Sequence, residues 1–399
     1  MRYGLMRRLD NWLGFPLCLA LGLAERLIRL FGPPPSFPPA DSVRRILVTK
    51  YIGAGSVVEA SPMLRALRGK YPSARISFLT FEACGELGLL LGVFDEIRII
   101  RTKSVAVFAW DNLKALLWGR LRRFDVSYDL EFFSKYSYLV SYLIHARARV
   151  GYFVRVLRYV RLFTHPVPYN ARRHVSEVFM AQLNPESGEG SEVSPVETVS
   201  VPAEAEREIG GLFERMGVPG DRALVAFNVN TGELSRLRQW PLPHFAELAE
   251  ALHAAYGCTL VFVGGKEDGK RVEEVMAKLG PAVKAFNLSG ATTLAGLLAL
   301  LKRVRVLVSN DSGPLHMAAL AGIPSVGLFG AESAAVYGPR GDKHINLDRE
   351  LYCSPCLNVY NFKDFDCPYD LRCMREIVPR EVLHAVRRLL GPRPETAAR

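Results

Sequence analysis

The block Val308-Ser309-Asn310-Asp311-Ser312-Gly313-Pro314-Leu315-His316 is an apolar run that ends in small polar residues and passes straight into a proline-opened helix. Asp311 or Ser312 can cap that helix, and Pro314 suits its first turn, where an N–H is not needed. Unbonded amides at a helix N-terminus carry partial positive charge, so this junction suits a diphosphate, with His316 as a further donor. The plain alternative is a well-capped helix and nothing more. Gly327-Leu328-Phe329-Gly330 follows the next apolar run and would border the same place.

Two other loops carry residue types that could act there. Leu224 to Asn228 runs into Val229, Asn230, Thr231 and Gly232, then Arg236, Arg238, Gln239, Trp240 and Pro241. A guanidinium grips phosphate through a planar fork, so Arg238 could neutralise a departing phosphate; a solvated loop charge is the alternative. Lys266 and Glu267 follow Gly264-Gly265 at the next strand end, where an acid can accept from ribose hydroxyls. Nearer the N-terminus, Lys50-Tyr51-Ile52-Gly53-Ala54-Gly55-Ser56 joins a strand to a helix. Gly53 and Gly55 let a backbone approach a ligand, but the spacing is neither a full dinucleotide fingerprint nor a P-loop.

These loops need a frame, and the hydrophobic pattern supplies it. Strand signals at Ile46–Thr49, Arg75–Thr80, Glu96–Ile100 and Val126–Leu130 alternate with helical stretches at 57–70, 84–91 and 112–122. After a polar, Pro- and Gly-rich stretch from Asn184 to Ser200 a second series begins. It has strands at 224–228, 259–264, 305–309 and 325–329, and helices at 244–256, 270–279, 293–301, 314–321 and 379–390. Such alternation predicts parallel sheets with crossover helices, and ligands at strand C-termini. The expected organisation is an N-terminal segment over 1–40, Rossmann-like domains over 41–200 and 201–378, and a terminal helix and tail over 379–399.

Composition agrees with a folded body. The 399 residues are 49% hydrophobic and 23% charged, which excludes disorder, collagen and a polytopic membrane protein. Lys plus Arg is 51 against 40 acids, a net charge of +11. That surplus suits a partner rich in phosphate, whether nucleic acid, anionic lipid or nucleotide. At the N-terminus, Arg2, Arg7 and Arg8 precede an apolar run from Trp12 to Ala24, too short for a bilayer-crossing helix. It reads as an apolar or amphipathic helix at a membrane surface, as a helix packed on the first domain, or as a signal peptide. Five prolines between Gly32 and Pro39 predict a stiff linker.

Together these stretches resemble glycosyltransferase family 9, the lipopolysaccharide heptosyltransferase family, from about Arg44 to Leu390. The resemblance is carried by Ile46-Leu47-Val48 with Gly55 and Ser61-Pro62, by Arg238-Gln239-Trp240-Pro241, and by Asn310 to His316 followed by Leu328-Phe329-Gly330. It implies a GT-B fold, two doubly wound Rossmann-like domains facing a central cleft. It also implies a nucleotide-diphosphate sugar donor, usually ADP-heptose, on the C-terminal domain and a lipid-linked saccharide acceptor on the N-terminal one. The sugar would be transferred with inversion and no required cofactor or metal. By the same carry-over Asp311, Ser312, Gly313 and His316 hold the diphosphate, and Arg238 stands where the family has a basic residue near the donor phosphates. Asn230, Lys266 and Glu267 complete the expected donor side.

One position departs from the family. An Asp usually follows the glycine matching Gly55 and deprotonates the acceptor hydroxyl; here it is Ser56, far too weak a base alone near neutral pH. Glu59, one turn into the helix, and Glu131, after the strand ending at Leu130, are the candidate carboxylates, each with an ordinary reading as a solvated acid. From His145 to His174 the chain has seven arginines and no acid, interleaved with aromatics. No nucleic-acid module accompanies them, and they fit a phosphorylated lipid-linked acceptor or an anionic membrane face, with Arg155 and Arg158 as acceptor contacts beside Gly53 and Gly55. Cys353, Cys356, Cys367 and Cys373 could hold a structural zinc tetrahedrally, remain free thiols, or pair.

The resulting expectation is a peripheral glycosyltransferase on the cytoplasmic face of the bacterial inner membrane, working on an envelope glycan. The rival is a non-catalytic relative that keeps the donor pocket and serves as a partner in an assembly complex.

Overall fold

The computed structural model describes residues 10–32, 36–132, 134–153, 162–188, 193–220, 223–232, 236–358 and 366–391. The chain divides into two compact units, Met1–Ser194 and Pro195–Arg399. Each is built on a six-stranded sheet in which every paired strand is parallel.

In the first unit α1 (Phe15–Ile28) precedes β1 (Arg45–Thr49), α2 (Ala54–Glu59), α3 (Ser61–Lys70), β2 (Arg75–Thr80), α4 (Glu82–Leu91) and β3 (Glu96–Ile99). Then come α5 (Val105–Arg122), β4 (Val126–Asp129), α6 (Lys135–Ile144), β5 (Ala148–Phe153), β6 (His165–Pro168) and α7 (Val175–Met180). The strand order is β3-β2-β1-β4-β5-β6. Residues 57–70, which read as one helix, form two: α2 stops at Ala60 and α3 restarts at Ser61, with Pro62 in the first turn where its missing N–H is harmless. β4 is buried along its whole length, as a central parallel strand covered on both faces must be.

The second unit runs α8 (Ala203–Met216), β7 (Leu224–Asn228), α9 (Leu242–Tyr256), β8 (Thr259–Phe262), α10 (Gly269–Met276), β9 (Ala285–Asn287), α11 (Leu294–Leu301) and β10 (Val306–Asn310). It continues with α12 (Gly313–Ala321), β11 (Ser325–Leu328), α13 (Ala334–Tyr337), β12 (His344–Leu347), α14 (Arg372–Arg375) and α15 (Pro379–Leu390). The order is β12-β11-β10-β7-β8-β9. Trp240 is fully buried in the core, its indole N–H donating to the Ile377 carbonyl at 2.7 Å. Val382, Ala385 and Val386 of α15 join the same cluster, so the last helix belongs to this core.

Both sheets reverse direction once, between β1 and β4 and between β7 and β10. A switch point of this kind leaves a crevice at the strand C-termini because the flanking crossovers leave in opposite directions. Here the loops at those points are 50–56 with 130–131, and 229–232 with 311–312.

Candidate functional site

At the β7/β10 switch point the side chains bind one another closely. Arg238 is buried; its Nη1 donates to Asp311 Oδ2 at 3.0 Å and its Nη2 to the Thr231 carbonyl at 3.0 Å. Burial alone would lower this guanidinium's pKa, but the charges of Asp311 and Glu332 outweigh burial and raise it. The arginine expected to meet phosphate is therefore bonded to the aspartate expected beside it. His316 Nε2 stands 4.0 Å from the other Asp311 oxygen. Asn310 Oδ1 accepts from the Trp240 amide at 3.0 Å, which locks the 238–241 loop onto the end of β10.

Ser312 has extended backbone at the N-terminus of α12, yet its hydroxyl makes no capping bond. It is turned instead to the Asn310 carbonyl, at 3.2 Å, and accepts from Asn228 Nδ2 at 2.5 Å. Asn228 Nδ2 shares its two protons among Ser312 Oγ, the Asn230 carbonyl and Ser309 Oγ, a clamp that sequence reasoning missed because an asparagine inside a strand gives no signal by itself. The result is a helix start without a side-chain cap, at the centre of a sheet, next to buried Asn230, whose Nδ2 has no partner. Gly327 packs closely nearby: a Cβ there would lie 2.7 Å from Asn346 Oδ1 and 2.9 Å from Leu315 Cδ2 in the first turn of α12, so those side chains would have to shift. Lys266 and Glu267 are exposed in a short 3-10 turn after β8. Arg271, in the first turn of α10, reaches toward the same strand ends, its Nε 3.5 Å from the Val229 carbonyl.

At the β1/β4 switch point, Glu131 is buried and committed. Its Oε1 accepts from the Tyr51 and Ile52 amides at 2.7 and 2.8 Å, and its Oε2 faces Lys50 Nζ at 3.0 Å. It fixes the path of the glycine loop, in which Gly53 has φ 86° and Ser56 begins the turn by donating to the Gly53 carbonyl. Beneath the loop, wholly buried Asp129 accepts from Thr49 Oγ1, Ser137 Oγ, Ser141 Oγ and the Glu131 amide. Burial raises its carboxyl to about 6, hydrogen bonds notwithstanding. Glu59 shares a helix face with Ser56, three residues away, and its Oε2 lies 3.9 Å from His174 Nε2. His174 Nδ1 accepts from the Ser176 amide at 3.3 Å and lies 2.7 Å from Ser176 Oγ, which turns Nε2 toward Glu59. His174, at the start of α7, was missed because it lies more than a hundred positions along the chain. Arg155 and Arg158 lie outside the described residues.

The cysteine segment packs on the loop after β11. Ser354 Oγ donates to the Gly330 carbonyl at 2.6 Å and the Leu357 amide to that of Ala331 at 2.7 Å. Burial raises the Cys373 thiol to about 11, with Cys356, Cys367 and Cys353 adding to the shift. The four sulfurs are within electrostatic reach, but among the described residues no group of three His, Cys, Asp or Glu is placed to ligate a metal.

Residues 118–363 match the profile of glycosyltransferase family 9 (heptosyltransferase). The chain belongs to glycosyltransferase family 9. It is 24% identical over 305 residues to lipooligosaccharide heptosyltransferase 2 of Haemophilus influenzae, covering 75% of this chain and 86% of that one. It is 26% identical over 306 residues to lipopolysaccharide heptosyltransferase 3 of Escherichia coli, covering 73% and 85%. Among solved structures, the family 9 glycosyltransferase of Veillonella parvula superposes with a TM-score of 0.71 at 22% identity, covering 89% of this chain and 99% of that one. Escherichia coli ADP-heptose lps heptosyltransferase II gives 0.69 at 21%, covering 87% and 98%. The GT-B fold implied by the sequence is thus the fold of this family 9 member.

Proposed function

We propose that this family 9 protein is an inverting heptosyltransferase, moving a heptose-type sugar from an ADP-heptose donor to a lipopolysaccharide-type, lipid-linked acceptor without a metal. The observation that carries the reading is the start of α12, left without a side-chain cap because Ser312 is held by Asn228. Amides there, with Gly313, His316 and Asn230 around them, meet the donor diphosphate and take up the charge that grows on it as the glycosidic bond breaks. Arg238 and Asp311 act by holding that junction rigid. Arg271 and Arg236 supply cations on the same side, and Lys266 and Glu267 meet the nucleotide.

On the acceptor side Ser56 cannot take a proton, and both Glu131 oxygens already hold the glycine loop. Glu59, on the helix face of Ser56 with His174 beside it, acts as general base, with Gly53 and Gly55 giving the acceptor close approach and Arg155 and Arg158 meeting its phosphates. A peripheral position on the cytoplasmic face of the inner membrane follows from an acceptor of that kind.

Ser56 in place of aspartate favours a second reading, a donor-binding relative without turnover that works as an assembly partner. Thermal shift with ADP-, GDP- and UDP-sugars, followed by transfer from ADP-heptose to heptose-deficient lipopolysaccharide with and without chelator, separates the two. The proposal expects stabilisation by the ADP-sugar and chelator-insensitive transfer that Glu59→Gln abolishes. Binding without turnover on any envelope acceptor supports the partner reading; no binding defeats both.

A further inference from the structure

Helix α1 is oriented the wrong way round for a helix packed on a protein in water. Its buried seam is Gly14, Cys18, Gly22 and Glu25, small or polar residues. Glu25 faces buried Arg149 at 3.5 Å and Arg29 at 3.2 Å, and accepts from the Tyr142 hydroxyl at 3.1 Å. The large apolar side chains point outward: Trp12 is 81% exposed, and Leu13, Leu17, Leu23, Leu27, Ile28 and Phe31 are exposed as well. A surface helix ordinarily does the reverse. A patch of this size on a folded protein marks something that covers it.

A second helix shows the same face. On α5, Trp110, Leu113, Leu117 and Leu121 recur at helical spacing along one stripe and are all exposed, Leu121 to 81%. Lys114 Nζ lies 5.0 Å from the Trp110 ring centroid, and Arg120 and Arg123 are exposed at the end of the stripe. The helix has one acid, Asp111, which is buried and paired with Arg101. An apolar stripe flanked by cations, with tryptophan beside lysine, is complementary to the headgroup layer of an anionic bilayer.

The topology aligns the two stripes. The crossovers β3–α5–β4 and β4–α6–β5 run the same way across the sheet, so right-handedness puts α5 and α6 on one face. Next along that face comes α1, whose Cys18 packs with Tyr138 of α6 and with Leu162 and Phe163 beside β6. Helix α6 has no exposed residue and lies between them.

We propose that α1 and α5 together form one bilayer-docking face of the first unit, with α5 a membrane contact in its own right. This rests on the reading above that the acceptor is lipid-linked. The test uses the full chain with vesicles of phosphatidylethanolamine and phosphatidylglycerol. Two double variants are compared, Trp110→Glu with Leu117→Glu on α5 and Leu17→Glu with Leu23→Glu on α1. All four side chains are exposed, so the melting temperature should hold. Each pair should lower the vesicle partition about tenfold or more, leaving transfer to a water-soluble acceptor fragment unchanged. In a Trp12→Phe background, brominated lipid should quench a signal that Trp110→Phe removes. If only the α1 pair loses binding and Trp110 is not quenched, α5 is no contact and the inference fails while the lipid-linked acceptor stands. If neither pair changes binding yet transfer to the lipid acceptor proceeds, the face is not used. Sedimentation velocity showing that the α5 pair breaks a dimer instead would assign the stripe to a second copy and overturn the inference.

Discussion

Nη1 of Arg238 and Oδ2 of Asp311 are 3.0 Å apart, and both side chains are buried at the point where the second sheet reverses. This pair ties the loop after β7 to the loop after β10, which is what keeps the start of α12 in place.

Asp311→Asn should lower stability by about 3 kcal/mol, because it strands a buried guanidinium with only Glu332 for balance. The double variant Arg238→Met with Asp311→Leu should recover much of that in urea unfolding, since no buried charge is left alone. On the proposed function, both variants should show a smaller thermal shift with an ADP-sugar than wild type.

Two glutamates in the first unit should fail differently. Glu131→Gln keeps an oxygen for the Tyr51 and Ile52 amides but leaves buried Lys50 with the Ile52 carbonyl and no counter-charge, so about 3 kcal/mol of stability is lost with activity. Glu59→Gln is isosteric but buried beside His174, so it should lower the melting temperature modestly while the variant stays folded. Its kcat should fall about a hundredfold or more with KM little altered.

Asp129 should give stability a pH slope. Its folded-state carboxyl, at about 6, lies above the ordinary 3.8, so the folded chain holds that proton more tightly than the unfolded chain does. The contribution is complete below the unfolded value and is lost as pH rises through the folded one. Between about pH 5 and about pH 7 it should cost roughly 1 kcal/mol. Asp129→Asn should remove that slope when denaturant midpoints of the two proteins are compared across the range.

Gly330→Ala should loosen the cysteine segment. The added carbon would stand 2.5 Å from Met374 Sδ and 2.9 Å from Cys373 Sγ, and these are packed in the core. A loss of about 1–3 kcal/mol is expected from overpacking. Faster modification of Cys373 by a thiol reagent would accompany it.

Much of the frame was legible because central parallel strands leave plain apolar runs: 75–80, 224–228 and the helix 379–390 stand where the sequence puts them. β9 and β12 gave no signal, being short edge strands that are only partly buried. β5 and β6 were hidden in the arginine-rich stretch, where Arg149 reads as a surface charge but is sunk against Glu25. Of the candidate site, the residue types were readable and their pairings were not. Nothing in the spacing says that Arg238 meets Asp311, that Glu131 holds two amides, or that His174 stands over Glu59, because each partner arrives from another strand or helix.

The attachment of α1 has a practical corollary. Asp10 accepts from the Lys135 and Tyr136 amides at the start of α6, at 3.3 and 2.6 Å, and Arg29 donates to the Phe163 carbonyl at 3.0 Å. Trimming the chain back to its first strand, an inviting cut for anyone seeking a better-behaved sample, would take two bonds from the start of α6, leave the Arg149 cation without Glu25 and bare Leu162 and Phe163. The greasy leader is masonry, and the wall behind it was laid to receive it.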